Sequence, residues 1–188
     1  APQLNPDVAE KCLAMSKSIR RKHLYITRWA RAPWHVWLRH EPLWLDLFAE
    51  LWAKIPTEAM AQLFSWYRPT IILPPPNMGR SIRIRAPLFR GANIMQLDHA
   101  LLYRAKSEQV AILAHELAHL VLKPCNDPIK NDLDADRLAV QWGFGHELHQ
   151  ALRKDLSPNH PRLLQLNSIV KPNHHRPESI NIIGRLKV

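Results

Sequence analysis

Apolar positions fall into a few clear stripes along the chain. In "EPLWLDLFAELWAKI" (41–55), Trp44, Leu47, Phe48, Leu51 and Trp52 recur at helical spacing, while Asp46 and Glu50 lie off that stripe. Pro56 ends this helix, and Thr57 is placed to cap a second one over "EAMAQLFSWY". The three prolines of "TIILPPPNMGR" then break the pattern. Two short extended segments follow, "SIRIRAP" (81–87), which alternates strictly, and "NIMQLD" (93–98), with Gly91 between them. They predict strands of a small sheet. "HALLYRAKSEQ" reads as a short helix or loop. Ser107 is then a fitting N-cap for a strongly apolar helix, "EQVAILAHELAHLVLKP" (108–124). Pro124 and "CNDPIKN" stop it. "DLDADRLAVQWGF", "GFGHELHQALRKDL" and "SPNHPRLLQLNSIV" predict three more helices, and the basic end of the chain, with "INII" as an edge-strand candidate, reads as extended. The pattern predicts an α+β fold, mainly helical, with a small sheet beside the apolar helix.

The length of 188 residues suits one domain with a real core. Within it, 1–67 reads as a helical, basic, Trp-rich part and 68–188 as the remainder of the core with a tail. No uninterrupted apolar run would span a bilayer, and the start, "APQLNPDVAEK", lacks the apolar centre of a signal peptide. The two cysteines, Cys12 and Cys125, form neither a disulfide framework nor a CxxC clip, which points to a reducing compartment such as the cytoplasm. The formal net charge is +10, concentrated in Lys17–His40 and Gly79–Arg90. Cations interleaved with Trp29, Trp34 and Trp37 suit nucleic acid or an anionic membrane surface. The plainer reading is a solvated basic face with Trp in the core, and no established nucleic-acid motif is present.

The apolar helix carries three groups that resist burial: His115, Glu116 and His119. Residues four apart share a helix face, so the two imidazoles can aim at one point. This is HExxH, in which two neutral imidazoles hold a zinc ion and the carboxylate stands beside the water that the metal activates. A surface helix with solvated histidines would have polar flanks, whereas these are Val110, Ala111, Ile112, Leu113, Leu117, Ala118 and Leu120.

A catalytic zinc needs one more protein ligand. Cys125 stands where HExxHxxGxxH places its last His, but Leu122 replaces the turning Gly. The other candidates are Asp132, Asp134 and Asp136. Asp132 and Asp136, four apart, share a face. One can bind the metal while the other accepts the free N–H of a ligand histidine, and Asp134 points elsewhere. An acidic helix start favouring the dipole would account for one or two of them, but not for their alternation with Leu133, Ala135, Leu138 and Ala139.

Taken together, "SEQVAILAHELAHL" and "DLDADRLAVQWGF" resemble the HtpX-like and CAAX-prenyl-endopeptidase-type gluzincin metallopeptidases. "NIMQLDHALL" and "NHPRLLQL" are similar to segments of the same family, so that about 92–167 is covered. That family follows HExxH with ExxxD on the next helix. The resemblance implies a zincin-like fold, a zinc ion on His115, His119 and Asp132, and Asp136 supporting a ligand histidine. Asp132 departs from the family's Glu and is one methylene shorter. The family's membrane spans are missing. The ImmA/IrrE-like proteases share a similar layout.

The expectation is therefore a zinc-dependent endopeptidase with Glu116 as general base. The resemblance puts His160 near the cleft as a donor to the carbonyl oxygen, although a helix-start residue before Pro161 explains it equally. Substrate would add as a strand to the edge of "SIRIRAP" or "NIMQLD". The rivals are a regulatory protein that binds nucleic acid or a partner, and a peripheral membrane protease held by its basic Trp-rich part.

Overall fold

The computed structural model describes residues 6–65, 69–75, 92–123 and 125–170. The helices are α1 (Pro6–Arg31), α2 (Pro42–Lys54), α3 (Thr57–Leu63), α4 (Lys106–Val121), α5 (Pro128–Gln141), α6 (Gly145–Asp155) and α7 (Pro161–Ile169), with 3-10 segments at Pro33–His40 and His99–Tyr103. Two short strands, β1 (Thr70–Leu73) and β2 (Asn93–Gln96), pair in parallel with Thr70 opposite Asn93. The architecture is mostly helical with a small parallel sheet, α+β at the coarse level.

The stripe on α2 is buried as its spacing predicts, with Trp44, Leu47, Phe48, Leu51 and Trp52 all in the core. β1 was not expected: "TIIL" ahead of the prolines opens with three β-branched residues, all buried, and the prolines only end it. "SIRIRAP" and "INII" lie outside the described residues. α4 starts at Lys106 with Ala105 in the N-cap position, so Ser107 sits inside the first turn instead of capping it. Thr57 likewise opens α3, with Pro56 as its N-cap. α5 starts four residues before "DLDAD". Asp127 caps it by accepting from the backbone N–H of Ile129 and Lys130, and Pro128 occupies the first turn. Gly143, at φ 89°, makes the break between α5 and α6.

One contiguous hydrophobic core runs from Trp29 to Leu166. α4 is its centre, packed against α2, α3, α5 and α6. Trp29, Phe48, Trp52 and Phe64 form an aromatic cluster, with Trp29 5.2 Å from both Phe48 and Trp52 by ring centroid. A buried imidazole joins this cluster to the sheet. His35 Nδ1 donates to the Trp29 carbonyl at 2.9 Å, and Nε2 accepts the Ile72 N–H at 3.1 Å. Trp37 Nε1 donates to the Ile72 carbonyl beside it. Trp29 and Trp37 are thus core residues, not a stacking surface.

The His35 geometry needs the neutral ring, because a protonated Nε2 could not accept from Ile72. Burial pushes this imidazole from 6.5 down to about 4, more than the Trp29 hydrogen bond raises it. Below 6.5 the unfolded chain takes up a proton that the folded chain refuses. The stability from this group is therefore complete above pH 6.5 and is lost as pH falls to about 4, roughly 3 kcal/mol in all. Urea unfolding across that window should show wild type losing stability relative to His35→Asn. Parallel pH dependence of the two proteins would refute the assignment.

Candidate metal centre

Sequence places His115 and His119 one turn apart on α4, and the fold gives that turn its chemistry by laying α5 against it and packing α7 on α5, from where Arg162 reaches the site. His115 is 5% exposed and Asp136, from the middle of α5, is 0% exposed. His115 Nδ1 lies 2.8 Å from Asp136 Oδ1. A carboxylate only accepts, so the proton sits on Nδ1 and the Nε2 lone pair is left free. That Nε2 is 3.1 Å from His119 Nε2, the two rings meeting edge-on at 85°. His119 Nε2 is in turn 3.4 Å from Asp132 Oδ1. The three ligand atoms lie within 4.8 Å of one another.

This geometry fits a metal on two counts. A tetrahedral zinc with nitrogen and oxygen ligands at about 2.0–2.2 Å separates them by about 3.3–3.6 Å, within a few tenths of an ångström of the 3.1 and 3.4 Å found here. The charges also fit. Asp132, Asp136 and Glu116 face one guanidinium, Arg162. That leaves two negative charges uncompensated, which a divalent cation balances.

The other sequence candidates separate cleanly. Asp134 pairs with Lys130 at 3.3 Å and Arg137 at 2.9 Å on the outer side of α5. Cys125 turns its Sγ to the Asp127 carbonyl, 3.3 Å away, while its N–H donates to Asn131. Asp132 sits in the second turn of α5, whose first turn has no acidic residue, so a dipole role does not explain it. Glu116 is exposed and lines a cleft of ≈ 340 Å³, together with His115, Gln96, Asp98 and Arg162.

His160 does not line this cleft. It is the N-cap of α7, its Nδ1 accepting the Arg162 N–H at 3.3 Å, which is the helix-start role. The residue that reaches the site is Arg162, two positions on. Its Nε and Nη2 each donate to Asp136 at 2.7 Å. Nη2 is also 3.3 Å from both ring nitrogens of His115. An in-plane atom equidistant from both would collide with Cε1, so the guanidinium lies over the ring face. Nη1 is 3.5 Å from Asp132 Oδ2. The only sequence signal for Arg162 was indirect: two aspartates on one helix face beside an apolar helix need a counter-charge.

These contacts set the protonation of the site. Burial would raise the Asp136 carboxyl, but hydrogen bonds from Arg162 and His115 outweigh it and hold the group below its usual range. Burial likewise works to lower Arg162, and Asp136 more than reverses it. Burial, then the neighbouring His115, pushes the His119 imidazole down, which favours the neutral ring that a metal requires. Compared with known proteins, the chain matches no family model, no curated protein and no solved structure.

Two metal titrations test the ligand set. Zinc affinity should collapse in Asp132→Asn and be unchanged in Cys125→Ser; the reverse pattern would move the third ligand to the thiol. Asp136→Ala should bind zinc about 10–100-fold more weakly, as is usual when the partner of a ligand histidine is lost. Equal affinity would remove Asp136 from the site.

Proposed function

We propose that this chain is a zinc-dependent endopeptidase of the gluzincin type, on a zincin-like fold similar to that of the HtpX-like and CAAX-prenyl-endopeptidase-type enzymes. One observation carries the reading. His115 Nε2, His119 Nε2 and Asp132 Oδ1 converge on one point, and the adjacent Glu116 opens on the cleft that His115 lines. A site that served structure alone would have no use for an exposed carboxylate in that place.

His115, His119 and Asp132 would hold the zinc. When bound, zinc supplies Lewis acidity that makes a water more acidic and polarises a carbonyl. Glu116 accepts the proton of the attacking water as the new C–O bond forms. It then delivers that proton to the amide nitrogen as the C–N bond breaks. Asp136 keeps His115 in the Nδ1–H tautomer throughout. Arg162 lines the same cleft and has N–H hydrogens not taken by Asp136, so it, and not His160, is the donor for the carbonyl oxygen.

The cleft also suits an extended substrate. Gln96, the last residue of β2, and Asp98 just beyond it line the cleft, and β2 pairs with β1 along one edge. Among the described residues its other edge has no strand partner. A peptide adding there would run past Glu116. No helix among the described residues is long and apolar enough to cross a membrane.

Glu116→Gln keeps the shape of the side chain but cannot accept a proton. It should retain zinc at wild-type stoichiometry, while cleavage of a mixed peptide library falls by roughly 10²–10⁴-fold. Undiminished cleavage with zinc bound would remove Glu116 as the base. A zinc-loaded wild type that cleaves no peptide in the library would contradict the endopeptidase reading.

A further inference from the structure

From Lys11 to His40 the chain carries eight Lys and Arg residues and no Asp or Glu. The metal centre makes no use of this run. The outer face of α1 exposes Lys17, Arg20, Arg21, Leu24, Arg28 and Arg31, spaced three or four residues apart. This is one stripe about 21 Å long, with a cation on nearly every turn. None of these five cations pairs with a described acidic residue. Elsewhere on the surface, cations such as Lys106, Lys130, Arg137 and Lys154 are paired. Among the described residues the stripe is uncompensated charge on one helix, anchored from behind by Trp29, which is 4% exposed.

We infer that the outer face of α1 binds the phosphate backbone of duplex DNA, independently of base sequence. Four of the five cations are arginines, whose planar fork matches phosphate oxygens in pairs. A single helix fits the major groove of B-form DNA, where both walls present phosphates, and does not fit the deep, narrow groove of duplex RNA. A membrane is the poorer match. A helix lying on lipid buries an apolar face among acyl chains. Among the described side chains of α1, which begin at Lys17, the apolar side is spent on the protein core through Tyr25, Ile26 and Trp29, and only Ile19 and Leu24 are apolar on the exposed side. The inference is independent of the peptidase reading.

The test is fluorescence anisotropy of the full chain with a 20-base-pair DNA of arbitrary sequence, between 50 and 300 mM salt. Five phosphate contacts give a slope of log K against log salt of about −4.5. The triple variant Arg20→Gln, Arg28→Gln, Arg31→Gln should reduce that slope by about 3 and weaken binding at 0.1 M salt by roughly 10²-fold or more. A control with the same charge change elsewhere, Lys123→Gln, Arg137→Gln, Arg153→Gln, should bind within a few-fold of wild type. All six side chains are exposed, and thermal melting checks that each variant is folded. No DNA binding at 50 mM salt would overturn the inference. So would equal losses in both triple variants, tighter binding to duplex RNA, or binding to phosphatidylserine vesicles in place of DNA.

Discussion

The structure turns on one buried carboxylate. Asp136 is fully enclosed, and an ionised carboxylate without partners there would cost several kcal/mol. It is satisfied by three donors from two other helices, His115 Nδ1 on α4 and Arg162 Nε and Nη2 on α7. The site therefore cannot form until α4, α5 and α7 have packed. Once they have, the same bonds fix a tautomer, aim a lone pair and place a guanidinium. Breaking such a buried pair from one side typically costs about 3–5 kcal/mol, so the chemistry of the centre and the packing of this half of the molecule are one constraint.

The centre is also supported from the far side. α4 is sandwiched between this polar contact and the aromatic cluster carried by α1, α2 and α3. His35 resembles His115 in logic, being a buried imidazole whose Nδ1–H is assigned by an acceptor. Its Nε2, though, is consumed by the Ile72 N–H, so it serves structure. At His115 the Nε2 lies 3.1 Å from His119 Nε2 and groups with Asp132 Oδ1 within 4.8 Å, an arrangement that could hold a metal ion. That contrast separates His35, which serves packing, from His115, whose Nε2 could hold a metal.

Much of this was legible in the sequence, for identifiable reasons. HExxH and the i, i+4 aspartates are local patterns on single helices, so the placement of His115, His119, Asp132 and Asp136 follows from helix geometry once the helices exist. The stripe on α2 was readable for the same reason. What could not be read depended on contacts between elements. Arg162 looked like one of many surface cations, and only the packing of α7 against α5 turns it inward. His160 was placed near the cleft by the resemblance alone, with a helix-start role before Pro161 as the alternative, and it is the N-cap of α7. β1 was hidden because prolines 74–76 dominated the reading of the four residues before them. The start of α5 was set too late because Asp127, an effective cap, lay in a stretch taken as a terminator.

X-ray absorption at the zinc edge of the zinc-loaded protein tests the central claim most directly, since it sees the ligands themselves. The account predicts a four-coordinate site with only nitrogen and oxygen neighbours at about 2.0–2.2 Å and the multiple-scattering signature of two imidazoles. A sulfur shell near 2.3 Å would bring in a cysteine and contradict the His115, His119, Asp132 site. A spectrum with one imidazole or none would contradict it equally.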